Sequence, residues 1–221
     1  MRYHGDEVAM MWQVIGVQVG RVREMDQGHG PWRSGTYKEP VSGPVRLTRL
    51  GLVGDEQGDL HSHGGEEKAV LFYPSQHYPR WREELPGIAF DAGGFGENLT
   101  VDFTEEEIAV GDVLRVGEAL IEISQPRVPC YKQAWRWGVE DLVERMQQTL
   151  RTGFYGRVLE PGAVQIGDAV QRLERRYPEV TVARLGRARY GEAAKEELRE
   201  LAGCPALAEV WRSWLARRAQ E

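Results

Sequence analysis

Between residues 12 and 175 the chain repeatedly alternates apolar and polar side chains in short runs, and glycine or proline closes almost every run. WQVIGVQVGRVR, PVRLTRLGL, KAVLFY, DVLRVGEALIEIS and VQIGDAVQRLE all show the pattern. Alternation places every second side chain on one face of an extended strand, so each run can bury one face only. Glycine and proline at the ends stop the pairing and turn the chain. A sequence written this way folds as a mainly β protein with few helices. Gly117 supplies a hairpin turn joining residues 112–116 to 119–124, and Gly111-Asp112 and Gly167-Asp168 read as tight turns entering strands. Two segments depart from the alternation. VEDLVERMQQTL sets Leu142, Met146 and Leu150 on one helical face with Gly153 as its stop, and PSQHYPRWREEL reads as a short helix limited by Pro79.

The pattern changes near Tyr177-Pro178. Beyond it, EVTVARL, GEAAKEELRELAG and CPALAEVWRSWLARRAQE read as three helical pieces, with Pro205 in a tolerant first turn and Arg217 and Arg218 at the negative end of the helix dipole. The chain therefore divides into a β domain, residues 1–176, and a helical unit, residues 177–221. Leu207, Val210, Trp211, Trp214 and Leu215 form a stripe that needs a cover. The β domain itself is the first candidate, and a second copy in a homodimer or another protein would also serve.

With 28 basic and 34 acidic side chains, the net charge is −6, which argues against a nucleic-acid partner. No apolar run approaches the roughly 20 residues that span a bilayer, and the N-terminus has no signal-peptide core, so the expected setting is the cytoplasm, away from membranes. Two cysteines, Cys130 and Cys204, lie in different units and build no disulfide framework.

Four loops interrupt the strand pattern with glycine and polar groups: GLVGDEQGDLHSHGG, FGENLT, SQPRVPC and FYGRVLEPG. Backbone N–H groups at glycine corners cradle anions, and His61, His63, Lys68, Asn98, Arg127 and Arg157 would add donors. Together they describe a site for something anionic. Cysteine is by default a small buried hydrophobe. Cys130, however, follows Pro126 and Pro129, which end strand pairing, and the neighbouring Arg127 suits a thiolate, the form that attacks electrophiles or binds soft metals. Cys204, directly before Pro205, reads as structural. In an extended HSH, His61 and His63 would point the same way and could join Cys130 in a zinc set, or simply bond to loop backbone. Trp135, Trp137, Phe154 and Tyr155 read as core, and the EEE at residues 105–107 as a solvated loop.

In order, GLVGDEQGD, HGGEEKAVLFYPSQHY, FGENLT, VGDVLRVGEALIEISQPRVPCYK and GFYGRVLEPGAV resemble the molybdenum cofactor sulfurase C-terminal (MOSC) domain in its bacterial YiiM-like branch. The helical tail resembles the three-helix C-terminal domain of that branch. The resemblance implies a β-barrel holding a pyranopterin molybdenum cofactor, with Cys130 as the metal ligand. It implies an oxidoreductase that works without pyridoxal phosphate and reduces small N-hydroxylated compounds such as 6-hydroxylaminopurine. Lys68, Asn98, Arg127, Ser124 and the N–H groups of Gly64 and Gly65 would bind the cofactor, and His63, His61 or Asp55 would relay protons. Only His63 matches the family's His-Gly-Gly; His61 enters from spacing alone. The chain has no iron–sulfur cysteine cluster and no nucleotide fingerprint, so electrons would come from a separate donor protein. A carrier of cofactor or sulfur would use the same ligands without turning over a substrate, and a zinc hydrolase would use the histidines.

Overall fold

Met11–Val19 (β1) shows the alternation at work: Trp12 and Val14 are buried, whereas Met11, Gln13 and Ile15 face solvent. The computed structural model describes residues 11–26 and 30–221. Six further strands close a ring with β1: Val70–Pro74 (β2), Leu99–Val101 (β3), Asp112–Val116 (β4), Ala119–Pro126 (β5), Phe154–Glu160 (β6) and Ala169–Arg175 (β7). The order around the ring is β1-β3-β2-β6-β5-β4-β7, and β7 returns to β1 through Trp12↔Val170. Every pairing is antiparallel except β2 with β3, where Phe72 sits opposite Leu99. A closed ring leaves no free strand edge. The β4–β5 hairpin turns at Gly117 (φ 54°), as its sequence requires, with Val116 opposite Ala119. The barrel interior includes Val14, Phe72, Leu99, Leu114, Ile121 and Phe154; Phe72 and Phe154 stack at 5.4 Å between ring centres.

Among the described residues seven α-helices decorate the ring: Leu60–His63 (α1), His77–Glu84 (α2), Lys132–Trp137 (α3), Leu142–Thr149 (α4), Val182–Tyr190 (α5), Lys195–Ala202 (α6) and Glu209–Arg218 (α7). A second apolar cluster joins Tyr73 of β2 to Tyr78 and Trp81 of α2, Phe90 and Phe95 of the crossover to β3, and Leu142 and Met146 of α4. Pro79 does not limit α2. It is the third residue of the helix, where an N–H would have no intrahelical partner. α4 ends sooner than its apolar spacing implies: Leu150 adopts a left-handed conformation (φ 57°) as its C-cap, so the stop comes before Gly153.

The three helices after residue 177 are joined to the barrel by backbone and by core. Thr181 pairs with Ala109 in a β-bridge, the Val110 N–H donates to the Val180 carbonyl (2.9 Å), and the Ala208 N–H donates to the Ser124 carbonyl on β5 (3.0 Å). Thr181 caps α5 by accepting from the Arg184 N–H (3.1 Å). Val182, Leu185, Leu198, Leu201, Trp211 and Leu215 continue the barrel's own apolar cluster. The expected stripe on α7 is therefore divided: Leu207, Trp211 and Leu215 are buried, Val210 is exposed and Trp214 is half-buried. Pro205 is not in the first turn of α7. It lies in a separate turn in which the Leu207 N–H reaches the Cys204 carbonyl (3.2 Å), and burial raises the Cys204 thiol pKa. Among the described residues no helix is long and apolar enough to cross a membrane.

Candidate functional site

Three loops and two strand ends converge on one side of the barrel. β5 ends at Pro126, and the next residue, Arg127, is fixed by its N–H to the Gly153 carbonyl (3.0 Å). Cys130 follows just before α3, half-buried and free. An inner cavity of about 80 Å³ is lined by Cys130, Arg127, His63, Lys68, Gln133 and Tyr155 together with the loop segments 34–38 and 55–58. An outer chamber of about 530 Å³ shares Cys130, His63, Lys68, Lys132 and Tyr155 as walls, so the thiol stands at the junction of the two.

Arg127 is only 5% exposed and its Nη1 is buried with no hydrogen-bond partner; among the described residues no carboxylate comes within ion-pair distance of it. A buried cation without a counter-charge is costly, and an anion seated beside it would offset that cost. Gln133, in α3, donates from Nε2 to Thr36 Oγ1 (2.8 Å) and to the Phe95 carbonyl (3.1 Å), which leaves its buried Oε1 without a donor. The cavity thus offers one spare cationic donor and one spare acceptor. Tyr155 adds a phenol whose pKa burial raises, so its hydroxyl keeps its proton.

Asp55 accepts from Lys38 Nζ, from the Gly20 N–H (2.7 Å), from Asn98 Nδ2 (2.9 Å) and from Gln57 Nε2 (3.4 Å). Four donors commit this carboxylate to holding loops together, which leaves it poorly placed to shuttle a proton. Asn98 is equally occupied: its Oδ1 accepts from the Leu71 N–H (3.1 Å). Both line the cavity as braces. The Lys38–Asp55 pair is almost completely buried, and burial lowers the Lys38 pKa against the pull of Asp55.

The HSH segment is helical, not extended. Asp59 caps it, accepting from the N–H groups of His61 (3.1 Å) and Ser62 (3.2 Å), and residues two apart on a helical turn face different ways. His63 consequently lines both cavities, whereas His61 reaches only the outer one. Among the described residues no three His, Cys, Asp or Glu side chains gather to hold a metal ion, so the zinc set expected from an extended HSH does not assemble. Burial, then Arg127 and Lys68, push the His63 pKa below its usual value, leaving a neutral imidazole at pH 7. Lys68 donates to the Ser62 carbonyl (2.6 Å), and burial lowers its pKa.

Four expected ligands lie elsewhere. Ser124 Oγ is fully buried against the Glu67 (2.7 Å) and Tyr155 (3.0 Å) carbonyls and lines neither cavity. The Gly64 N–H is used by the Leu60 carbonyl (3.1 Å) at the end of α1, and Gly65 (φ 93°) turns the chain beside a separate surface groove. Arg157 clamps Glu122 (2.8 Å), Glu67 (2.5 Å) and the Ala206 carbonyl (2.9 Å), tying the barrel to the chain ahead of α7. Conversely, Gln133, Lys132 and Lys38 line the site although no motif marks them, and Tyr155, expected in the core, lines it too. Lys132 and Gln133 directly follow the PCY that carries Cys130, and that adjacency was the available signal.

A family model described as the MOSC domain matches residues 59–171, and one described as the YiiM-like 3-alpha helix domain matches residues 180–220. The chain belongs to the MOSC family. Bacillus subtilis YflK is 39% identical over 204 residues, covering 91% of this chain and 92% of that protein. Escherichia coli YiiM is 41% identical over 171 residues, covering 76% and 75%. A Gibberella moniliformis protein named a reductase is 37% identical over 178 residues, 79% of this chain but 31% of that much longer one. The crystal structure of YiiM from Geobacillus stearothermophilus superposes with a TM-score of 0.80 at 32% identity, covering 94% of this chain and 99% of that one. MOSC domains are associated with molybdenum cofactor binding, and a MOSC-type, cofactor-associated function is what the family supports.

Proposed function

We propose that this MOSC protein reduces N-hydroxylated compounds, 6-hydroxylaminopurine among them, with a pyranopterin molybdenum cofactor held through Cys130. The observation that carries the reading is the pair of orphaned groups beside the thiol, Arg127 Nη1 and Gln133 Oε1. A cofactor that combines a phosphate with N–H-bearing pterin edges needs a buried cation and a buried acceptor, and a soft sulfur ligand suits molybdenum. The residues present fit the group. Cys130 would ligate the metal, and Arg127, Lys68 and Gln133 would take the polar periphery. At about 80 Å³ the inner cavity is narrow, so a bulky group must part its loop walls or extend toward the outer chamber.

When bound, the cofactor supplies the two-electron exchange. The balance is R–NHOH plus two electrons and two protons to R–NH₂ plus water: the N–O bond breaks, nitrogen gains a hydrogen and the oxygen leaves as water. A separate donor protein brings the electrons. His63, neutral and lining both cavities beside Cys130, is placed to pass protons in, and the protonated Tyr155 could donate a hydrogen bond to the hydroxyl oxygen of the substrate.

The test is metal analysis of the purified chain followed by turnover of 6-hydroxylaminopurine with a chemical reductant. We expect molybdenum and turnover in the wild type, both lost in Cys130→Ser and both kept in Cys204→Ser. Zinc in place of molybdenum, or equal behaviour of the two variants, would overturn the assignment. Retained molybdenum with no turnover would leave a cofactor carrier.

A further inference from the structure

The outer chamber is built by two parts of the chain. One wall comes from the segment around Cys130, including Val128 and Tyr131; the other comes from the helical unit, with Arg189 of α5 and Val210, Trp214 and Arg217 of α7. Its chemistry is of two kinds. Val128, Tyr131 and Val210 are exposed large apolar side chains, at 40%, 56% and 59%, and all three open into this one chamber. Such surface is usually covered in a folded protein unless a ligand uses it.

The second kind is charge. The Arg189 guanidinium lies 4.4 Å from the Trp214 ring centre and 5.1 Å from that of Trp211. An arginine stacked in this way keeps its N–H edge available for a planar or tetrahedral oxyanion. Among the described residues no carboxylate pairs with Arg189 or Arg217, although their neighbours Arg184, Arg187, Arg212 and Arg218 all have acidic partners. Among the described residues Asp59 is the only acidic side chain in the lining, against two arginines and two lysines. At about 530 Å³ the chamber has the size of an ordinary small-molecule site.

We propose that the outer chamber recognises a nucleoside monophosphate, with the ring against Trp214 and Tyr131 and the phosphate on Arg189 and Arg217. Resting on the reductase reading above, this makes the phosphorylated nucleoside, not the free base, the form in which an N-hydroxylated base reaches Cys130. A neutral base would leave both arginines unused, and inorganic phosphate would leave the aromatic wall uncovered. The helical unit is then the substrate-selecting half of the site.

The experiment is calorimetric titration of the full-length, metal-free protein at low salt with adenosine 5′-monophosphate, adenosine and inorganic phosphate. The monophosphate should bind at least tenfold more tightly than either of the others. Arg217→Gln, at an exposed position, should erase most of that preference. Trp214→Leu should weaken monophosphate and adenosine together, and Cys130→Ser should change neither. Equal affinity for monophosphate and adenosine, or for monophosphate and phosphate, would overturn the proposal, as would indifference to Arg217→Gln. Repeating the titration on molybdenum-loaded protein separates two sources of the same chemistry: binding must persist, because its loss would assign the chamber to the cofactor's own phosphate. If the chain retains no molybdenum, the reductase reading falls while the metal-free titration still decides the chamber.

Discussion

Arg127 carries a burden that an apolar residue would not. Its buried, partnerless Nη1 costs the folded state about 1–3 kcal/mol, the usual penalty for an unsatisfied buried donor. Arg127→Met should therefore raise the thermal midpoint of the metal-free protein by a few degrees while abolishing molybdenum retention; a lower midpoint would mean that the guanidinium serves the fold. His63 makes a second prediction. Its pKa is lowered in the folded state, so as pH falls through about 6.5 the unfolded chain takes up a proton that the native one refuses, and stability drops until the folded pKa is reached. Denaturation between pH 7.5 and 5 should show a shallower loss for His63→Gln than for the wild type. Cys130 and Arg127 were legible as cavity-lining residues because they sit in a loop that interrupts an alternating text. Tyr155 was not: within FYGRVLE a side chain facing a cleft and one facing the core occupy the same kind of position.

Among the elements, the loop at residues 34–36 depends on close backbone approach. A Cβ on Gly35 would lie 1.9 Å from the Glu56 carbonyl oxygen, so Gly35→Ala must push apart two loops that both line the inner cavity. We expect a loss of at least about 2 kcal/mol in urea denaturation, together with weakened molybdenum retention; an unchanged midpoint would show that the loops separate freely. Strand pattern and hairpin turns were legible here because they are local: Gly117 and its flanking alternation suffice. The helicity of HSH was not, because a single capping carboxylate, Asp59, outweighs the extended appearance of the segment. The end of α4 was missed for a related reason. Leucine seldom adopts the left-handed cap that Leu150 takes, so Gly153 looked like the stop.

At the scale of the whole molecule, the helical unit is continuous with the barrel core through Val182, Leu185 and Leu215, and it bonds to β5 through Ala208. Truncation after Arg176 should therefore yield insoluble protein rather than a stable barrel; a soluble, cooperatively unfolding fragment would contradict this continuity. Which strands pair was the least legible feature, since pairing of β1 with β7 or of β2 with β3 leaves no mark in either partner's own residues. That ring closure has a kinetic side. Met11 meets Gln171 from about 160 residues away, the kind of distant contact that makes assembly slow. Asp55, which braces the inner cavity, takes one of its four donors from Gly20, just past the end of the closing strand. The cavity is complete only once the ring has shut. A molecule seated in it would then act as a latch, prolonging the life of the closed state and leaving the time needed to reach it unchanged.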